Sequence, residues 1–138
     1  VSLVLDSSAT LAWIYGDETT EAIRAVFDRV AGEWAAVPAL WRLEVANSLT
    51  MGVRRGRIDA EFRRAALADL ALLDIRADQN TDTQAWGETL LLADRFRLTL
   101  YDAAYLELAQ RRALPLATLD GALGRAARAL GIHVMGSA

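Results

Sequence analysis

The 138-residue chain contains no cysteine, which removes disulfides, thiol nucleophiles and thiolate metal sites. Lysine is absent as well, so all 15 basic side chains are arginine. Schiff-base chemistry and the phosphate-gripping lysine of nucleotide-binding loops are excluded with it. A single histidine, His133, lies near the C-terminus in an apolar, strand-like segment, where it reads as a packed or surface residue. No apolar run reaches the ~18 residues of a membrane span. With imidazole, thiol and amine set aside, any catalysis falls to carboxylates.

A hydrophobic content of 54% argues against disorder, and the length suits one domain, 1–138, around one core. Residues 1–5 run straight into Asp6, which leaves no room for a cleavable signal peptide, so a cytoplasmic protein with no membrane contact is expected. The net charge of −3 gives no global attraction for nucleic acid, and RNA binding would have to rest on local basic patches.

Short apolar segments alternate with helical periodicity along the chain. Strands are expected at 2–5, 34–37, around Ile75, at 115–119 and at 132–135. Helices are expected at 9–15, capped by Ser7 or Ser8, and at 19–30. A third covers 39–55 and is opened by Pro38, and a fourth starts at Asp59 and continues to Leu73. Thr81 and Gln84 form a capping box for a helix to about Phe96. Two more helices run from Tyr101 and Asp102 to Arg112 and over 121–130. The alternation predicts an α/β fold, a central mainly parallel sheet of about five short strands with helices on both faces. Such sheets bind ligands along the strand C-terminal edge, where Asp6 and Asp120 each follow a strand.

Four acids stand out by position. Asp6 follows Leu-Val-Leu and precedes Ser7 and Ser8. Glu44 lies in Leu-Trp-Arg-Leu-Glu-Val-Ala-Asn-Ser-Leu, early in a helix entered from a strand, with Asn47 three residues on and on the same face. Asp102 lies in Leu-Tyr-Asp-Ala-Ala-Tyr-Leu, and Asp120 ends Ala-Thr-Leu-Asp. Each also has a purely structural reading: helix caps for Asp6 and Asp120, a first-turn charge for Asp102, a solvent-facing side chain for Glu44. The joint placement of all four points beyond those readings. Carboxylates gathered together repel until protons or cations arrive, and a hard divalent cation resolves the conflict.

Taken in order, Leu-Asp-Ser-Ser, Glu-Val-Ala-Asn-Ser-Leu, Tyr-Asp-Ala-Ala-Tyr-Leu and Ala-Thr-Leu-Asp resemble the PIN-domain nucleases, most closely the toxin (VapC-type) half of the VapBC toxin–antitoxin pairs. The resemblance covers nearly the whole chain. It implies a Mg²⁺-dependent endoribonuclease, or one using Mn²⁺, that hydrolyses RNA phosphodiester bonds with a metal-activated water and is held inactive by a cognate antitoxin. It implies a homodimer and a toxin–antitoxin hetero-oligomer. Asp6, Glu44, Asp102 and Asp120 match the acidic quartet, with Asp6 and Asp102 as direct ligands, Asp120 as a ligand direct or through water, and Glu44 as ligand or water activator. Ser7 and Asn47 match polar positions beside it, orienting ligands or ordering substrate. Some relatives carry a further acid after the fourth, where this chain has Gly121 and Ala122.

Arg54, Arg55, Arg57, Arg63 and Arg64 surround the turn between two helices, and Arg111 and Arg112 close the Asp102 helix. They read either as cations offsetting helix C-terminal dipoles or as RNA phosphate contacts. Trp13, Trp41 and Trp86 read as core, with Trp13 or Trp41 alternatively lining a groove for the antitoxin's apolar segment. Tyr105 reads as packing within reach of the site. Phospho-aspartyl α/β enzymes also place an Asp after the first strand, but they depend on a lysine. A PIN domain acting on another nucleic acid, or as a catalytically weak binding module, remains the alternative.

Overall fold

The computed structural model describes residues 2–137. The chain starts on strand β1 (Leu3–Leu5), whose three side chains are wholly buried, and turns at Asp6 into α1 (Ser7–Ile14). A 3₁₀ turn (Gly16–Glu18) leads to α2 (Glu21–Gly32) and β2 (Ala35–Val37). Then come α3 (Trp41–Arg54), α4 (Ala60–Ala71) and β3 (Ile75–Ala77). The short α5 (Thr81–Gln84), α6 (Glu88–Phe96) and α7 (Leu100–Arg112) precede β4 (Leu116–Ala117), α8 (Gly121–Ala129) and β5 (Val134–Met135).

The five strands form one sheet in the order β3-β2-β1-β4-β5, every pair parallel. Winding proceeds outward from β1 in both directions, so the switch of direction falls between β1 and β4. Parallel sheets of this kind open a crevice at that switch, beyond the strand C-termini. Asp6 stands there at the end of β1, its N–H donating to the Ala117 carbonyl of β4 at 3.1 Å. The helix that packs most deeply is α7, buried continuously from Ala103 to Ala109. It covers the sheet beside β1 and β4, which is why Asp102, one turn from its N-terminus, is carried toward the same edge.

Several boundaries differ from the sequence expectation for local chemical reasons. Asp6 itself caps α1, accepting from the Ala9 N–H at 2.9 Å, so Ser7 is the first helical residue and neither serine is the cap. The third helix starts at Trp41 rather than at Ala39. The turn before it is held from outside, by the Thr81 hydroxyl accepting from the Ala39 N–H at 3.0 Å. That same hydroxyl donates to Asp78, so Thr81 builds no capping box, and the expected helix to Phe96 is divided into α5 and α6. Trp86 lies at that break and is 91% exposed, not core. Trp41 is buried, its ring N–H donating to Thr10 at 3.1 Å, and Trp13 stacks on Phe27 at 4.5 Å while remaining half-buried.

At the far end of α7, Arg111 reaches inward. It donates to both oxygens of Asp78 (3.1 and 2.6 Å) and both of Glu107 (2.7 and 3.0 Å), two carboxylates that are almost entirely buried. Arg111 is therefore a clamp between α7 and the end of β3, not an RNA contact. Removing one partner of a buried ionic cluster leaves uncompensated charge. Arg111→Met should lower the stability by roughly 3–5 kcal/mol in urea unfolding, with partial recovery in mild acid as the orphaned carboxylates take protons. Unchanged stability would show that the clamp contributes nothing.

Candidate active site

Asp6 is 4% exposed and sits in a nest of donors. One oxygen accepts from the Ala9 N–H (2.9 Å) and the Ser8 hydroxyl (2.7 Å), and the other from Thr118. Thr118, buried at the end of β4, also accepts from the Asp120 N–H at 3.0 Å, while Ser8 accepts from the Leu119 N–H at 2.9 Å. These bonds sew the Asp6 turn to the Asp120 turn across the β1–β4 switch. One helical turn from Asp6, the buried Thr10 donates to the Asp6 carbonyl at 2.7 Å and accepts from the Trp41 ring, which ties α3 to α1.

Glu44 lies on the first turn of α3, half-buried, and accepts from the Tyr105 hydroxyl of α7. Ser7 lies beside the same carboxylate and favours its charged form. Asp102 occupies the first turn of α7, half-buried, its N–H held by the Thr99 hydroxyl at 3.1 Å. Asp120 is exposed and caps α8, accepting from the Leu123 N–H at 2.9 Å. The structural readings of Asp6 and Asp120 as caps therefore hold alongside any other role.

The electrostatics connect the four acids. Burial pushes the Asp6 carboxyl up to about 6, with the neighbouring Asp102 charge adding to the rise against three hydrogen bonds that oppose it. Burial also raises Glu44; the Tyr105 bond opposes this and the Asp102 charge reinforces it. Asp102 is raised by burial first and by the Asp120 charge second. Tyr105 is driven far above the ordinary phenol range by burial and by its bond to Glu44, so it stays a proton donor. Asp102 is the hub, within electrostatic reach of the other three.

Among the described residues no three acids stand close enough to share a metal in this arrangement, short of the tight quartet expected from the sequence. The reason is visible in the bonds above. Asp6, Glu44 and Asp120 are each turned to a hydrogen-bond donor beside them. The donor set is all oxygen, with His133 exposed on the approach to β5, and that set suits a hard divalent cation. Asn47 makes no bond to these acids. It lies one helical turn beyond Glu44 in a separate recess with Leu11, Ser48 and Arg55.

Thr118 and Ser8 escaped the sequence reading. The signal was present for Thr118, a hydroxyl residue at a strand end two positions before a selected acid; Ser8 was weighed only as a cap. Tyr105 was read as packing within reach, and its hydroxyl does engage Glu44.

The Asp6 shift has a consequence for stability. Between its unperturbed 3.8 and about 6 the folded chain holds the Asp6 proton more tightly than the unfolded chain, so stability falls as pH rises through that window and the ionised form destabilises the fold above it. Asp6→Asn keeps the cap and removes the charge. In cation-free buffer near neutral pH it should gain roughly 1–3 kcal/mol in urea unfolding, and the gain should vanish at about pH 4, where wild type is protonated. Equal stability of the two proteins at neutral pH would contradict the shift.

Comparison with known proteins agrees with the architecture. No curated protein sequence matches the chain. A solved structure, "PAE2754 from Pyrobaculum aerophilum", superposes with a TM-score of 0.63 at 25% identity, covering 91% of this chain and 84% of that one. The model of the PIN domain family matches residues 3–129, nearly the whole length and all four acidic segments. The chain belongs to the PIN-domain family, whose members are generally nucleases.

Proposed function

We propose that this protein is a metal-dependent endoribonuclease and the toxin of a toxin–antitoxin pair. The observation that carries the catalytic half is the coupling of Asp6, Glu44 and Asp120 to Asp102, four acids delivered by β1, α3, β4 and α7 to one sheet edge. Residues 114 positions apart, such as Asp6 and Asp120, have no local reason to meet, and carboxylates have an electrostatic reason to avoid one another. The raised affinity of Asp6, Glu44 and Asp102 for protons marks the same sites as ready to accept another cation.

Asp6 and Asp102 would hold Mg²⁺ or Mn²⁺ directly, with Asp120 and Glu44 completing the set directly or through water. When bound, the metal supplies Lewis-acid stabilisation of phosphoryl charge and lowers the pKa of a water nucleophile. The chain's own residues do the rest. Thr118, Ser8 and the Ala9 N–H fix the Asp6 carboxylate. Tyr105 holds the Glu44 carboxylate, which would take the proton of an attacking water.

The toxin half rests on the motif resemblance and on exposed apolar surface. A cavity of about 370 Å³ between α3 and α4 is lined by Trp41, Val45, Leu67, Leu70 and Ile75, the kind of groove that takes an apolar helix from a partner. Leu43, Trp86 and Tyr101 are 76%, 91% and 65% exposed. We assign the groove to an antitoxin.

Cleavage of single-stranded RNA should require Mg²⁺ or Mn²⁺, stop with EDTA, and fall by at least ~10³-fold in Asp102→Asn. Millimolar Mg²⁺ should also raise the wild-type Tm by a few degrees and leave that of Asp102→Asn unmoved, since only the intact set binds it. Full cleavage by the variant in chelator would end the mechanism. Expression alone should arrest growth, and co-expression of an adjacent antitoxin gene should relieve it. Leu67→Arg, at the mouth of the groove, should stay toxic but escape relief. Equal toxicity of Asp6→Asn would mean that catalysis is not the toxic act.

A further inference from the structure

Beyond the acidic edge, α1 and α3 run side by side and leave a recess between them. Ser7 on α1 and Glu44 on α3 are neighbours at the sheet-edge end of this helix pair. One helical turn farther on, Leu11 follows Ser7, and Asn47 and Ser48 follow Glu44. There a cavity of about 320 Å³ is lined by Leu11, Tyr15, Asn47, Ser48, Arg55 and Arg57. From Glu44 to Arg55 is about three turns of α3, ~16 Å.

Its far wall is built to stay open and fixed. Gly52 faces the Tyr15 hydroxyl so closely that a Cβ would stand 2.8 Å from it, so a side chain at position 52 would displace the Tyr15 ring. The Tyr15 ring is covered by the Arg57 guanidinium at 3.7 Å and stacked against Phe62 at 6.3 Å. Arg57 is in turn neutralised by Asp17 and Glu18. Neither Tyr15 nor Arg57 is therefore free to take a ligand: the ring has no open face for a base, and the guanidinium has two carboxylates.

Arg55 differs. Four of the five arginines of the cluster have partners: Arg57 as described, Arg63 on the Thr50 hydroxyl, Arg64 on Glu61, and Arg54 against the Met51 sulfur. Arg55 is exposed at the cavity with no hydrogen bond or ion pair among the described residues, and Asn47 and Ser48 on the same wall also lack side-chain partners. An unpaired guanidinium with an amide and a hydroxyl, lined up with an acidic edge that would itself repel RNA, matches a phosphodiester backbone.

We infer that the α1–α3 recess is a backbone-binding subsite for single-stranded RNA, in which Arg55 holds a phosphate a few nucleotides from the scissile one and Asn47 and Ser48 bond the sugar-phosphate between. The inference rests on the nuclease reading and assigns its substrate path. With no open aromatic face, the subsite contributes affinity and register rather than base choice. Asn47 is thereby a substrate contact along the strand, not a ligand-orienting residue at the acids.

The test is fluorescence anisotropy of a labelled, unpaired oligoribonucleotide with Asp6→Asn protein in Mg²⁺, a background chosen to prevent turnover. Arg55→Glu should weaken binding about tenfold and make its salt dependence shallower by about one phosphate contact, Arg55→Lys should restore most of the affinity, and Asn47→Ala should lose a smaller part. Arg24→Glu, an equal charge change on α2, should stay within about twofold. Failure of the parent protein to bind the oligoribonucleotide, equal losses from Arg24→Glu and Arg55→Glu, or competition by polyglutamate as strong as by RNA would each overturn the subsite. Cleavage by the otherwise wild-type chain is scored separately. Arg55-dependent binding without any cleavage would sink the nuclease mechanism and leave the subsite standing.

Discussion

Asp6 places a carboxylate at the end of the central strand of a parallel sheet, with protein on nearly every side and 4% of its surface exposed. A charge in that position is costly unless something compensates it. Compensation here is partial: a helix N–H and two hydroxyls pull the carboxyl down, while burial and Asp102 push it up to about 6. Much of the surrounding structure follows from holding that group. Thr118 and Ser8 join the ends of β1 and β4 because both bond to Asp6. Thr10 and Trp41 bring α3 alongside through the Asp6 carbonyl, and α3 carries Glu44 into the same neighbourhood.

The remaining acids extend the same tension outward. Glu44 and Asp102 are half-buried, Asp120 is exposed, and Asp102 links them. Two kinds of positive charge relieve such an arrangement, protons at low pH and a hard cation near neutrality. Tyr105 keeps Glu44 oriented without neutralising it, and the burial that makes its hydroxyl a permanent donor is part of how α7 packs. On the proposed nuclease reading, stability at this edge is exchanged for a place that would hold a cation, a common cost of functional sites.

The α/β alternation, the five strands and the all-important edge positions were legible because period and punctuation report them locally. Leu3, Val4 and Leu5 are apolar without alternation, as a strand covered on both faces must be, and Asp59 and Asp120 announce their helices as caps. Strand order was not legible, since nothing in β4 names β1 as its neighbour. Thr81 misled because its hydroxyl bonds to Asp78 and to the Ala39 N–H, partners remote in sequence that a four-residue motif cannot reveal. Trp86 misled because an aromatic in an apolar stretch looks like core whether the surface it faces is buried or left bare. The acids were identified by their ordered segments. Their donors Thr118 and Ser8, and the distinction between a clamping Arg111 and an unpaired Arg55, depend on which chains meet in space.

The central claim is that Asp6 and Asp102 belong to one cation site at the β1–β4 switch. Anomalous diffraction at the manganese edge, from crystals of the wild-type chain and of Asp102→Asn soaked in Mn²⁺, tests it most directly. The account predicts a peak between the Asp6 and Asp102 carboxylates, with the Asp120 and Glu44 side chains drawn toward it, and loss of that peak in the variant. Strong peaks elsewhere on the protein with none at this edge, or a peak that persists in Asp102→Asn, would contradict it.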